Sequence, residues 1–266
     1  MEVSADAATA AAARTLRWAG RAGHLGGVPR AAVIGAVGTI AKAYVSLLNT
    51  TTVHNADALH RLVSSRPPGT PLLTVSNHMS TIDDPFMWGF KGFPITDSKL
   101  ARFHSYVSKF WSLFDCKFRH AIFKQLHSFP EGKVAQDHQP IRRLKWGTAS
   151  LIVRAPVTPI ILPIVHTGFE KVMPEKSFFG RRPPLPLCGK EIQIIVGEPV
   201  DFDLPGLKQV AAMIPQDTSF KRKGWPTITP EGLDEAAQRW LYQKMSDKIQ
   251  SVMESLRKTL LNSKQH

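Results

Sequence analysis

The stretch "RPPGTPLLTVSNHMS", residues 66–80, constrains the fold more than any other part of the chain. A Pro-Pro-Gly turn leads into the β-prone run Leu72 to Val75, which reads as a strand ending at Ser76. His78 then lies on the loop at a strand's end, where α/β proteins place their chemistry. Two later runs have the same character. "VTPIILPIV" reads as a buried strand despite its prolines, and "EIQIIVGEPVDF" alternates Ile192, Ile194 and Val196 as another. Helical patterns separate these runs, one over residues 141–153 and a long one over 233–261. The long one carries Leu241, Met245, Ile249, Val252, Leu256 and Leu260 on one face. The expected fold class is α/β, with an amphipathic helix near the N-terminus and a long helix near the C-terminus.

With 266 residues, 43% hydrophobic and 21% charged, the chain can bury one large core. We read a single domain over residues 23–262 behind an alanine-rich tail, 1–22. Arg14, Arg17 and Arg21 give that tail a faint transit-peptide look that Glu2 and Asp6 oppose. The net charge of +13 and pI near 10.0 favour a polyanionic partner. No nucleic-acid recognition motif accompanies the charge, which leaves an anionic membrane surface. Two cysteines without a CxxC support neither a disulfide framework nor a cysteine zinc site. No metal-ligand cluster and no Gly-rich nucleotide loop is present, so no cofactor is expected.

"AAVIGAVGTIAKAYVSLLN", residues 31–49, places Val33, Val37, Ile40, Tyr44, Leu47 and Leu48 at helical spacing. A membrane span needs about 20 predominantly apolar residues, and Lys42 interrupts this one. Residues 31–48 are therefore expected to form either a core-facing helix or one lying in the headgroup plane of a bilayer. Peripheral or monotopic membrane association follows from the second option. The organelle stays open, with plasma membrane and mitochondrion as candidates.

In "SNHMSTIDDP", His78 and Asp83 stand five positions apart. A helix starting near Ser80 or Thr81 would put Asp83 in its first turn, close enough to fold back on the imidazole. A carboxylate on one ring nitrogen fixes the tautomer, leaving the other free to take a proton from a hydroxyl or amine. Ser76 and Ser80 are nearby, but neither sits in a GxSxG elbow. A second block, "SFPEGKV" at 128–134, offers Gly132 for a tight backbone turn and Lys133 as a positive charge, although an ordinary Pro-Glu-Gly turn reads the same way.

Together these blocks resemble the glycerolipid acyltransferase superfamily, and in detail its tafazzin branch, especially plant tafazzin-like members. Asn77, His78 and Asp83 match its Asn-His-x4-Asp motif, Phe129 to Gly132 match Phe-Pro-Glu-Gly, and "RRLKWGTASLIVRAPVTPIILPIVHTGF" matches further on. The resemblance implies an α/β fold with a mixed β-sheet covered by helices, and a phospholipid acyltransferase that moves a fatty acyl group to a lysophospholipid hydroxyl or to the amine of phosphatidylethanolamine. The acyl donor would be a phospholipid or acyl-CoA. His78 would act as general base oriented by Asp83. Asn77, Glu131 and Gly132 would shape the acceptor site, while Lys133, Arg142 or Arg143 would supply countercharge to a phosphate.

One departure stands out. The family carries an Arg-Gly block between the two motifs, yet residues 93–131 contain no glycine and only Arg102 and Arg119. Residues 93–128 are thus an atypical segment. They raise the alternative of a catalytically weak or inactive lipid-binding relative, a splice or gene-model variant.

Overall fold

The computed structural model describes residues 24–97, 103–104, 125–137, 139–177, 179–214 and 233–262. The expected tail 1–22, most of the atypical segment and the basic stretch 215–232 lie outside them. Among the described residues the strands are β1 Thr50–His54, β2 Leu72–Ser76, β3 Phe103–His104, β4 Gln125–Ser128, β5 Ile160–Thr167 and β6 Glu191–Val196. They form one sheet in the order β1-β6-β5-β2-β4-β3. All neighbours pair in parallel except β5 and β6, which are antiparallel, so the sheet is mixed as expected.

The strands alternate their side chains between two cores. Leu73, Val75, Ile161 and Val165 join one, while Leu72, Leu162, Ile164, Ile192, Ile194 and Val196 join the other. A sheet buried on both faces explains the continuous apolar runs read from the sequence. Each fully buried Leu or Ile is worth roughly 1.5–3 kcal/mol, so both faces need helical cover. The first core is closed by α4 Gly147–Arg154, α6 Leu204–Ala212 and α7 Glu235–Asn262. The second is closed by α1 Val28–Lys42, α2 Ala56–Ser64, α3 Asp83–Phe86 and α5 Phe169–Val172. Along α7 the buried residues are Leu241, Met245, Ile249, Met253 and Leu260, with Val252 and Leu256 only partly buried at the edge of the stripe.

Pro163 sits inside central β5 where the ladder to β6 ends, so its missing N–H costs only the closing bond. Its carbonyl accepts from Gly197 N at 2.9 Å, on the β6 side. A strand residue's N–H and C=O point the same way, so the missing N–H would have faced the point where β6 ends.

One helix is shorter than the sequence suggests. Residues 141–146 are not helical, and α4 starts only at Gly147. Tertiary partners take the backbone groups that a helix would have used. Ile141 N donates to Glu254 Oε2 at 3.0 Å, Ile141 O accepts from Gln250 Nε2 at 2.8 Å, and Lys145 N donates to Pro130 O at 2.8 Å.

The N-terminal helix also distributes its stripe unexpectedly. α1 runs into a π-helical turn, Ala43–Leu47, and docks through small residues, with Gly38, Ala41 and Val45 buried. A Cβ on Gly89 would lie 2.4 Å from Ala41 O, so that backbone approach requires glycine. Ile40 at 53% and Leu47 at 81% exposure, with Val37 and Leu48 also exposed, point away from the core. The segment Leu25–Leu47 is long and apolar enough by composition to cross a membrane, and only 17% of it is buried.

Candidate active site

Three parallel neighbours, β4, β2 and β5, end side by side, and each contributes to one cluster at its C-terminal end. β2 pairs with β5 up to Ser76 opposite Ile164. Beyond that point the side chain of Asn77 replaces a strand backbone: Nδ2 donates to His166 O at 2.9 Å, and Oδ1 accepts from His166 N at 3.0 Å. The ladder is thus continued while the main chain turns away into the loop carrying His78.

That loop is wired by one carboxylate oxygen. Asp83 Oδ2 accepts from Met79 N at 2.7 Å, from Ser80 N at 2.8 Å, and meets His78 Nδ1 at 2.9 Å. α3 begins at Asp83 itself, with Ile82 as its N-cap, rather than near Ser80 or Thr81. The carboxylate accepts from residues preceding it, so the loop folds back on the imidazole as the spacing suggested. With Asp83 as acceptor, His78 Nδ1 carries the proton and Nε2 keeps its lone pair. Asp83 is fully buried, whereas the His78 side chain keeps 19% of its surface open to solvent.

Phe129, at the end of β4, stacks on His78 with ring centroids 4.2 Å apart and 18° between planes. This fixes the imidazole plane from the side while Asp83 fixes it from the edge. Beneath Phe129 lies the buried His127, in edge contact at 4.6 Å, its nitrogens 2.8 Å from Thr74 Oγ1 and 3.1 Å from Ser76 Oγ.

Glu131 is buried and takes a structural hydrogen bond, accepting from His78 N at 3.2 Å. Burial raises its pKa above the ordinary carboxylate value, outweighing the lowering effect of hydrogen bonds from the His78 and Arg142 backbones. Gly132 adopts φ +68°, and a Cβ there would press on the Lys145 side chain at 2.6 Å. Lys133 is exposed. Arg142 pairs with Asp137, and with Asn77, Glu131, His166 and Arg257 it lines a cleft beside the dyad loop whose wall does not include His78. Arg143 turns elsewhere, to Gln243 Oε1 at 3.0 Å and over the Trp146 ring.

His166 and Arg257 escaped the sequence reading. His166 is fully buried, with Nε2 3.0 Å from Asn77 O and 3.7 Å from Asp83 Oδ2, so it backs the same carboxylate from the β5 side. Its signal was present: it follows the apolar run of β5 as His78 follows that of β2. Arg257 on α7 had no comparable mark, being one cation among many on a polar helix. Among the described residues no group of His, Cys, Asp and Glu is arranged to hold a metal ion.

No protein-family profile matches the chain. Individual proteins do. The chain is 48% identical to an N-acylphosphatidylethanolamine synthase of Arabidopsis thaliana over 92% of its own length and 97% of that protein's. It is 32% identical to a tafazzin of Drosophila melanogaster over 71% of its length, spanning 56% of the fly protein, and 29% identical over 63% to a Dictyostelium discoideum protein named taffazin, spanning 68% of it. The matched relatives and the His78–Asp83 loop agree, and the chain belongs to the tafazzin family of acyltransferases.

Proposed function

We propose that this protein is a phospholipid acyltransferase in which His78 acts as general base on the acceptor. The observation that carries the reading is the His78 Nδ1–Asp83 Oδ2 contact at 2.9 Å, which leaves Nε2 unprotonated on a partly exposed ring at the strand ends. Nε2 takes the proton from a lysophospholipid hydroxyl or from the amine of phosphatidylethanolamine as that atom attacks the acyl carbonyl of the donor. The protonated imidazole then returns the proton to the departing oxygen or sulfur. The amine acceptor is favoured by the name of the Arabidopsis relative. The donor is a second phospholipid or acyl-CoA. Asn77 and Glu131 hold the loop, and Arg142, paired with Asp137, and Arg257, paired with Glu254, line the neighbouring cleft as guanidinium groups for the acceptor's phosphate.

The exposed apolar side of α1, with the net charge of +13, supports peripheral attachment to an anionic membrane. High salt should release much of the protein from vesicles. Retention through both salt and alkaline carbonate would mean an inserted segment.

The test of turnover is acyl transfer from labelled phospholipid and labelled acyl-CoA on liposomes, comparing the wild type with His78→Ala at matched folded concentration. Equal rates would remove His78 from the mechanism. The second reading, a lipid-binding relative with little turnover, is favoured by the absence of an Arg-Gly block in residues 93–131. It predicts vesicle binding with no product, and gain of activity when such a block is inserted.

A further inference from the structure

We propose that the loop joining α5 to β6 is a second membrane-contacting element, which seats Phe179 in an anionic bilayer next to the active site. The inference rests on the membrane-surface reading above. At the loop's tip Phe179 is 93% exposed and followed by Gly180, and both adopt positive φ, 48° and 74°, in a tight reversal. Leu185 is 68% exposed on the returning limb, between Pro184 and Pro186. Phe179 and Leu185 thus present large apolar surface to water on one loop.

The loop is tied down at both ends. Leu187 N donates to Val172 O at 2.8 Å and closes its base. On the descending limb Gln136 acts as a staple: Oε1 accepts from Glu175 N at 2.9 Å, while Nε2 donates to Met173 O at 3.1 Å and to Met79 O, beside His78, at 2.8 Å. On the returning side Gly189 N donates to Leu48 O at 2.7 Å and Lys190 N to Asn49 Oδ1 at 2.8 Å, next to the exposed Leu47 and Leu48 of the α1 extension. The loop therefore bridges the dyad loop and the exposed apolar end of the N-terminal helix.

Charge selects the occupant. Lys176, Arg181 and Arg182 are exposed around the Phe179 tip, with Glu175, bonded to Arg182 at 3.0 Å, the only carboxylate between α5 and β6. An apolar tip ringed by cations suits an acyl region beneath anionic headgroups, where each basic residue near the surface strengthens binding. Anchoring this loop would bring the bilayer to the side of the molecule where Gln136 touches the His78 loop, so that a lipid acceptor need not leave the membrane fully to be acylated.

The experiment uses the full chain with both native cysteines replaced by serine and an environment-sensitive fluorophore attached through Phe179→Cys. Vesicles are phosphatidylcholine alone or phosphatidylcholine with phosphatidylserine. We expect a blue shift on the anionic vesicles only, quenching by acyl-chain spin-labelled lipid, and a vesicle affinity lowered by roughly tenfold in Phe179→Asp with an unchanged melting temperature. A label that stays water-like and unquenched while the protein co-floats with vesicles would overturn the loop's role and leave membrane attachment through α1 standing. Failure to co-float at any salt would overturn both. A blue shift that grows with protein concentration without vesicles would assign the tip to contact with a second copy and equally overturn the proposal.

Discussion

The loops leaving β2 and β4 sit side by side at the same end of the sheet, and they differ in how much of their hold is local. The β2 loop, residues 77–83, carries wiring of its own, one Asp83 oxygen gathering His78, Met79 and Ser80 from within five residues, beside its remote ties to His166 and Glu131. The β4 loop, starting at Phe129, is organised by distant partners. Its Glu131 serves His78 across 53 positions, and Ala135 N donates to His78 O at 2.7 Å. Local wiring orients His78 at little entropic cost, since short loops close easily. Remote wiring makes the geometry conditional on the whole sheet.

The largest expected effect comes from the local side. Loss of the base in His78→Ala should lower turnover by about 10²- to 10⁴-fold with little change in melting temperature, measured by acyl transfer and thermal denaturation on one preparation. Asp83→Ala should lower turnover comparably and also destabilise, since it removes the one oxygen shared by Met79 N, Ser80 N and His78 Nδ1, at about 1–3 kcal/mol per group left unpaired. A variant that melts like the wild type would show that the loop does not depend on this oxygen.

On the remote side, Phe129→Ala removes the stacking partner of His78 and should reduce kcat by roughly tenfold, the size expected from loosened positioning, while KM moves little. A kcat reduced as much as in His78→Ala would place Phe129 on a par with the dyad and break the contrast. His166→Gln, which retains an N–H for Asn77 O but not the imidazole behind Asp83, should cost less, about three- to tenfold in kcat, with the pH–rate profile altered if the ring supports the carboxylate. An unchanged profile would reduce His166 to packing.

Glu131 gives the smallest and most diagnostic signal. Burial raises its folded pKa, so the folded state holds this proton more tightly than the unfolded chain. Its contribution is fully present below the ordinary carboxylate pKa and is lost as pH rises through the raised folded value. Glu131→Gln, which keeps an acceptor for His78 N, should melt higher than the wild type at neutral pH and converge with it near about pH 4. A constant offset across that range would show that the charge carries no cost.

Several features were legible in the chain because they are local or periodic. Alternating and continuous apolar runs marked β2, β5 and β6, an i, i+4 stripe marked α7, and the His-x4-Asp spacing marked the dyad. The failed extension of α4 back to residue 141 shows the limit of such signals: helical pattern yielded to α7 side chains that took its backbone groups. The stripe on α1 shows another, since Val37 and Ile40 lie outside while the small Gly38 and Ala41 face the core.

The sequence by itself determined β2, β5 and β6, the long α7, the α/β class and the partnership of His78 with Asp83, because these depend on side-chain period and on chain reach over a few residues. Only the tertiary structure decided that β4, β2 and β5 end together, that Phe129 stacks on His78, that Asn77 extends the ladder to His166, and that α1 turns its large apolar side chains outward. Those outcomes rest on strand order and on which face of each element finds a neighbour, and packing of the whole chain sets both.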